Sequence, residues 1–274
     1  GLGQAVYIYG ATGYGKTELV RQYLSRRRYH YISCAEDAAG LMETAETAQE
    51  AASHSSGKEK EAQPRTVMVV DDMHLLKNAE GRKAVLSLAG RQDVWFILIC
   101  RSPIPAWLMP LYIKGGFLVI TEDDLRLGEK EISAYMDSQG LTATEEEVAF
   151  VAVRSQGNAY TVRHTALKML EGMRPGPEMA EEIVEAFAAY LESHVMVQWD
   201  SDLLEFLVQV SVTDEFTLPL AEMVTGNRHA PELLERAAET GNFLSCKDGT
   251  YRLRPELIRA LRRRAAKEYS PQER

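Results

Sequence analysis

The sequence lacks any hydrophobic run long enough to cross a bilayer. Its longest apolar stretches, such as Val94–Cys100 and Val67–Val70, stop far short of the roughly 20 residues that a transmembrane helix needs. It has only three cysteines, at positions 34, 100 and 246, and their spacing matches no zinc or redox motif. No signal peptide precedes the first apolar segment. We therefore expect a protein of the reducing cytoplasm, with no membrane partner.

The sequence also has fewer basic than acidic residues. The chain has 31 lysines and arginines against 40 aspartates and glutamates, a formal net charge of −9. This balance argues against a surface built as a whole to coat nucleic acid. The exception is a basic run over Arg252–Lys267, which has two interpretations: the solvated face of a helix, or a DNA contact.

The chain does have length and a clear alternation of patterns. Its 274 residues suit two or three packed units, and 45% of them are apolar. Up to residue 120, β-branched and aromatic runs alternate with helical spacing, which predicts strands at Ala5–Tyr9, Tyr29–Ser33, Val67–Val70, Val94–Cys100 and Phe117–Ile120. Three of these runs are hydrophobic almost throughout, as in a parallel α/β sheet covered on both faces. A helix that trails into a mobile loop is predicted over Glu43–Pro64.

After Ile120 the pattern becomes helical. We expect Thr121, Glu122 and Asp123 to supply N-cap chemistry ahead of a helix at Glu129–Ser138. Further helices follow, and then a hairpin of Phe243–Ser245 with Tyr251–Leu253 precedes a basic helix that starts at Pro255. Helices followed by a two-stranded wing are typical of a winged-helix domain.

One segment near the start carries a specific phosphate-binding motif. Gly10-Ala-Thr-Gly-Tyr-Gly-Lys-Thr17 satisfies G-x-x-x-x-G-K-[ST], between an apolar strand and an amphipathic helix. Its glycines let successive backbone N–H groups form a nest of anion size, and the following helix directs its positive end at the phosphates. Lys16 is expected to reach the β- and γ-phosphate oxygens, and Thr17 to offer its hydroxyl to Mg²⁺. The predicted nucleotide-binding residues are Gly10, Thr12, Gly13, Tyr14, Gly15, Lys16 and Thr17.

A pair of acids follows one of the predicted strands. Val67-Met-Val-Val-Asp71-Asp72 is hydrophobic up to its two carboxylates. Such an aspartate often caps a turn, but downstream of a P-loop the pattern is typical of a Walker B motif. Asp71 is then expected to hold Mg²⁺ through its water shell, and Asp72 to orient or polarise an attacking water. ATP or ADP with Mg²⁺ are therefore the predicted ligands.

Arg101 follows the apolar strand Val94–Cys100. In P-loop ATPases with an extra strand between the P-loop strand and the Walker B strand, the end of that extra strand faces the γ-phosphate. A polar residue at that point acts as a sensor, so Arg101 is a candidate catalytic residue beside Asp72. The alternative is a surface arginine ahead of Pro103.

These segments resemble the ATPase core of the MalT-like regulators, within the signal-transducing ATPases called STAND. Such cores are often the N-terminal part of large LuxR-type transcription activators. Near the C-terminus, Tyr251-Arg-Leu-Arg-Pro255 sits where these proteins end their winged helix. The other segments that carry the resemblance are Gly13-Tyr-Gly-Lys-Thr17, Val69-Val-Asp-Asp-Met-His-Leu75, Arg101-Ser-Pro-Ile-Pro-Ala-Trp-Leu108 and Gly116-Phe-Leu-Val-Ile-Thr-Glu-Asp-Asp-Leu125.

The resemblance implies three domains: a P-loop nucleotide-binding domain at 1–120, a helical lid at 121–198 and a winged helix at 199–274. It also implies a nucleotide switch, in which ADP holds a closed monomer while ATP with an inducer favours an open, self-associating form. Arg254 stands where family members place a histidine that senses ADP, and the usual Gly-Trp pair of the helical domain appears as Gly157-Asn158. No LuxR-type helix-turn-helix is visible by residue 274, so regulatory DNA binding would belong to a domain absent from this chain.

Two other functions stay open on the sequence alone. A catalytic P-loop enzyme, such as a small-molecule kinase, needs a pocket for its acceptor substrate, and the winged-helix end gives no reason for one. A DNA-binding module would use the basic C-terminal helix as its reader. We expect hydrolysis to be slow, because no arginine finger can be identified in the sequence.

Overall fold

The chain divides into two compact units, Gly1–Leu125 and Arg126–Arg274. The structure is a computed structural model that describes residues 5–34, 40, 43, 66–76, 78–89, 94–115, 117–239 and 243–268. The predicted helix and loop over 43–64 therefore lie outside the described residues, apart from Glu43. The second unit holds both the segment predicted as a lid and the predicted winged helix, and the division into three domains stays a prediction. No helix in the described ranges is both long and apolar enough to cross a membrane.

The first unit is built on a parallel sheet of five strands. In chain order they are β1 (Ala5–Tyr9), β2 (Tyr29–Ser33), β3 (Thr66–Asp71), β4 (Val94–Cys100) and β5 (Phe117–Ile120). Their order across the sheet is β2-β3-β4-β1-β5. Because β4 lies between β1 and β3, the predicted extra strand between the P-loop and Walker B strands is confirmed.

Both faces of the sheet are buried, which explains the continuous hydrophobic runs. Along β4, Phe96 and Leu98 belong to one core cluster, whereas Ile97 and Ile99 belong to another on the opposite face. Side chains alternate between the two faces of a strand, so a strand covered on both sides has to be apolar at every position. The helices of this unit are α1 (Lys16–Tyr23), α2 (Ala79–Ala89), α3 (Met109–Ile113) and α4 (Glu122–Leu125), with 3₁₀ turns at Met73–Leu75 and Ala106–Leu108.

The parallel register brings three strand ends to one edge of the sheet. Tyr9 pairs with Cys100, and Ser33 pairs with Asp71. The chain segments that leave β1, β3 and β4 therefore start at the same level, where ligands bind in open α/β sheets.

The second unit begins with four helices around their own core. They are α5 (Glu129–Ser138), α6 (Glu145–Ser155), α7 (Ala159–Leu170) and α8 (Pro177–His194). Ile132, Met136 and Val162 are buried at their centre. The expected caps of α5 are wrong: Gly128 is its N-cap residue, and Glu122 begins the separate helix α4 of the first unit.

The remainder of the second unit is a winged helix, as predicted. Its elements are α9 (Ser201–Val210), β6 (Glu215–Thr217), α10 (Leu218–Thr225), α11 (Ala230–Glu239), β7 (Leu244–Lys247), β8 (Thr250–Leu253) and α12 (Pro255–Glu268), with a 3₁₀ turn at Met196–Gln198 before α9. The strands form an antiparallel sheet of order β6-β8-β7. The sequence predicted the β7–β8 wing but not β6.

A row of ion pairs joins α12 to α8. The guanidinium of Arg259 donates to Glu181 at 2.8 and 3.0 Å, and that of Arg263 donates to Glu185 at 2.9 Å. One turn further on, Lys267 Nζ lies 3.0 Å from an oxygen of Glu192. The spacing of four residues along α12 places all three cations on one face, because residues four apart are neighbours on a helix. Much of the basic run therefore faces acids of the same unit.

Gly157 lies close to the backbone of Leu127, the second residue of the second unit. Its φ is +75°, and a Cβ there would lie 2.9 Å from the backbone N and O of Leu127, whereas Gly140, at φ +76°, has open space around it. Alanine at either site carries the strain of a left-handed residue, about 1–2 kcal/mol. We expect Gly157→Ala to lower the free energy of unfolding by clearly more than Gly140→Ala, because only Gly157 adds the overlap with Leu127. Urea denaturation of both variants measures the difference, and equal losses would contradict the close approach.

Candidate nucleotide site

The loop between β1 and α1 has the backbone shape that an anion nest requires. Gly13 and Gly15 have φ of +85° and +74°, in the region that glycine enters without steric cost. Gly15 is the N-cap residue of α1, so the first N–H groups of the helix open into the loop. Thr12 and Tyr14, two further residues of this loop, are buried. The loop thus has the glycine conformations that a nest of backbone N–H donors requires.

Lys16 is the buried cation of the site. It is 9% exposed, and its Nζ donates to the carbonyl oxygens of Gly10 and Ala11, both at 2.8 Å. Burial and the nearby Arg101 charge lower the pKa of Lys16 to about 8, although Asp71 and Glu122 act in the opposite direction. A cation that is poorly solvated in this way gains more from a bound phosphate than an exposed lysine does.

Asp71 lies opposite the loop at the end of β3 and is 5% exposed. Its Oδ2 accepts a hydrogen bond from Thr17 Oγ1 at 2.7 Å and another from the hydroxyl of Tyr31 at 2.8 Å. Its Oδ1 accepts from the backbone N–H of Asp72 at 2.7 Å. Three donors therefore fix the plane of this carboxylate.

The pair of Thr17 and Asp71 fits Mg²⁺. Oxygen atoms are the ligands that Mg²⁺ prefers, and in nucleotide sites one or two protein groups suffice because phosphates and water complete its shell. Among the described residues, no group of three or more histidine, cysteine, aspartate or glutamate side chains is arranged to hold a metal. The groups that would hold magnesium here are the hydroxyl of Thr17, directly, and the carboxylate of Asp71, through the metal's water shell.

Asp72 faces the same site from a left-handed backbone, with φ +55°. Its Oδ2 accepts from Ser33 Oγ at 3.0 Å, and its Oδ1 lies 3.9 Å from Nη2 of Arg101. Burial, followed by repulsion from Asp71, raises the pKa of Asp72, while Arg101, Ser33 and Lys16 counteract the shift. A carboxylate with a raised pKa close to the phosphate nest has the character of a general base.

Glu122 is a site residue that sequence reasoning missed. It is 6% exposed, and its Oε2 accepts the backbone N–H of Ala11 at 2.8 Å. A Cβ on Gly10 would lie 3.0 Å from Cβ of Glu122, so the first residue of the loop has to be small. The pairing of β5 with β1 makes this contact, and that pairing is not visible in the local sequence. Tyr31 and Ser33 were missed for the same reason, since β2 reaches the acids only through its pairing with β3.

Arg254 belongs to the other unit. Its backbone N–H donates to the carbonyl of Phe243 at 2.9 Å, and its own carbonyl accepts from the N–H of Ile258 at 3.0 Å. These bonds place it at the junction between the wing and α12. The ADP-sensing contact of its side chain stays a prediction.

The pKa of Lys16 predicts how nucleotide affinity depends on pH. Bound phosphates favour the ammonium form, so at a pH above about 8 the complex has to take up a proton that the free protein has lost. We expect ADP affinity to be level below this pKa and to fall as the pH rises above it. Calorimetry in buffers of different ionisation enthalpy measures the proton uptake directly.

Lys16→Arg is the matched control for that experiment. Arginine stays charged at any relevant pH, so a variant that still binds ADP should lose the alkaline fall. An affinity that is level throughout the alkaline range in the parent protein would show that burial does not perturb Lys16.

The comparisons with known proteins agree with this architecture. A family model described as the MalT winged helix domain matches residues 192–273. Among solved structures, a Walker-type ATPase of Pyrococcus abyssi superimposes with a TM-score of 0.65 at 14% identity, over 95% of this chain and 91% of that chain. No curated protein shows significant sequence similarity to this chain.

Two further structures are more distant. One is a STAND protein of Pyrococcus horikoshii with a tetratricopeptide repeat sensor, with a TM-score of 0.47 and 14% identity over 94% of this chain and 40% of that chain. The other is a RuvB variant of Thermotoga maritima, with a TM-score of 0.49 and 16% identity over 94% of this chain and 86% of that chain. Scores as low as these do not establish a shared overall fold. The matched winged helix and the Walker-type ATPase fold agree with the resemblance found in the sequence: a unit with a parallel P-loop sheet precedes a unit that ends in a MalT winged helix domain.

Proposed function

We propose that the chain is a nucleotide-dependent switch that binds ATP or ADP with Mg²⁺ and hydrolyses ATP slowly. The observation that carries the proposal is the meeting of Lys16, Thr17 and Asp71 at the carboxyl edge of the sheet. The Thr17 hydroxyl and the Asp71 carboxylate lie 2.7 Å apart, beside a loop with the glycine conformations of an anion nest. This is the arrangement that phosphate and magnesium require together.

Each side chain has a distinct part in the proposed mechanism. The backbone nest and the Lys16 ammonium bind the β- and γ-phosphates. Thr17 with Asp71 would hold the metal, which would neutralise charge on the phosphate oxygens. Asp72 takes a proton from the attacking water, since burial raises its pKa towards that task. Nη2 of Arg101 lies 3.9 Å from Oδ1 of Asp72, so the arginine is placed to sense a change in what that carboxylate binds.

Slow turnover suits a switch better than an ordinary enzyme. Asp72 is held by the Ser33 hydroxyl and by the Arg101 charge, and both stabilise its ionised form against protonation. These two partners offset only part of the shift, since burial and repulsion from Asp71 leave the pKa of Asp72 raised. The slow turnover is proposed instead from the sequence, in which no arginine finger can be identified to stabilise the charge of the transition state. Self-association in the ATP state, and an ADP contact from Arg254 in the closed state, are proposed on the strength of the family resemblance.

The nucleotide content of the purified protein tests the proposal. We expect the protein to carry ADP through purification, and Lys16→Ala to bind ADP about 10- to 100-fold more weakly, the effect of losing one charge-assisted contact. Lys83→Ala removes an exposed lysine of α2 in the same unit and should match the parent. Mass spectrometry and calorimetry give the two readouts. Weak, freely exchanging nucleotide in the parent would favour a catalytic enzyme, and full affinity in a folded Lys16→Ala would remove the P-loop assignment.

The alternative of a DNA-reading winged helix finds little support in the surface charges. In its element order, α11 takes the place of a recognition helix, but it exposes Glu232 and Glu235, and its Arg236 is paired with Asp200. The basic helix α12 is engaged with α8 through Arg259 and the two cations that follow it on the same face. Acids on the exposed face of a reading helix oppose contact with phosphates.

We therefore expect duplex DNA to bind weakly, without sequence preference, and with an affinity that falls steeply as salt is added. Fluorescence anisotropy with random and selected duplexes over a range of salt concentrations measures both properties. A sequence-selective complex at physiological salt would overturn this expectation and make the winged helix a DNA reader.

A further inference from the structure

The edge strand β2 supplies a hydroxyl to each of the two acids. Tyr31 and Ser33 are two residues apart, so their side chains leave the strand on the same side. Tyr31 donates to Asp71 at 2.8 Å, and Ser33 donates to Asp72 at 3.0 Å. Because β2 runs parallel to β3 with Ser33 opposite Asp71, both donors arrive at the level where β3 ends.

Tyr31 donates to the same Asp71 oxygen as Thr17 does. Asp71 Oδ2 accepts from Tyr31 and from Thr17, the residue whose hydroxyl is the candidate Mg²⁺ ligand. The remaining oxygen, Oδ1, is taken by the backbone N–H of Asp72. Rotation of the carboxylate about its χ2 angle would break these bonds together, so the tyrosine helps to fix the orientation of Asp71, the carboxylate that would take part in holding the metal.

The tyrosine ring is itself held in place. The guanidinium carbon of Arg21, on α1, lies 5.7 Å from the ring centroid, so the ring is in contact with the helix that begins at the P-loop. The side chain is 38% exposed, yet its hydroxyl is bonded to a carboxylate. Burial and the Asp71 charge raise the pKa of Tyr31 above its ordinary value.

We propose that Tyr31 is a positioning residue for the metal: its hydroxyl orients Asp71 and so sets the Mg²⁺ concentration at which nucleotide binds tightly. The inference rests on the proposed function and adds a residue outside both Walker motifs. Partners of this kind matter because a carboxylate that is already oriented loses less freedom when it engages the metal's water shell. Removing such an outer partner typically weakens metal affinity about 10- to 100-fold.

The test compares Tyr31→Phe with Tyr29→Phe. Both remove one hydroxyl from β2 and keep the ring, but among the described contacts Tyr29 bonds neither acid. ADP binding is measured by calorimetry while Mg²⁺ is titrated, and again in excess chelator. We expect Tyr31→Phe to raise the Mg²⁺ midpoint by about tenfold, with unchanged ADP affinity in chelator and a modest fall in the unfolding temperature from the lost bond to Asp71. Tyr29→Phe should keep the parental midpoint.

Each other outcome overturns the inference in a recognisable way. A parental Mg²⁺ midpoint in Tyr31→Phe shows that Asp71 is oriented without the tyrosine. Equal weakening with magnesium and with chelator shows that Tyr31 only ties the edge strand to the sheet. A parent protein that binds no nucleotide under either condition overturns the proposed function itself, and the role of Tyr31 with it.

Discussion

The first unit depends on the balance of charge at the carboxyl edge of its sheet. Lys16, Asp71 and Glu122 are each more than nine-tenths buried, and an isolated charge in such a place is strongly destabilising. Each is retained because its neighbours supply bonds: carbonyls for the lysine, hydroxyls and a backbone N–H for Asp71, and the N–H of Ala11 for Glu122. The strands must end in register for these groups to meet, so the geometry of the sheet and the electrostatics of the site are a single constraint.

The sequence was most informative where the local pattern determines the structure. The strands of the first unit were predictable because a strand buried on both faces is apolar at successive positions, as Val94–Cys100 is. The P-loop was predictable because only glycine enters the backbone region that Gly13 and Gly15 occupy at no steric cost. The strand β6 was not predictable, because three residues give no periodicity, and Glu215–Thr217 becomes a strand only by pairing with β8.

The sequence did not reveal the contacts between segments that are far apart in the chain. Glu122 has the sequence context of a helix cap, and only the pairing of β5 with β1 turns it towards the P-loop. The basic run of α12 had two interpretations because its acidic partners lie on α8, more than 70 residues earlier. The basic residues in the sequence thus predicted a charged helix. They did not predict that its cations would form ion pairs with acids of the same unit.

The left-handed backbone of Asp72 restricts which residues this position accepts. Consecutive side chains on a strand point to opposite faces of the sheet, so two adjacent acids can serve one site only if the chain leaves the extended conformation between them. The φ of +55° at Asp72 makes that change. Aspartate and asparagine enter this region several-fold more often than other residues with a side chain. Glutamate at position 72 would keep the charge but lose the backbone preference, so substitution there is limited by conformation as well as by acidity.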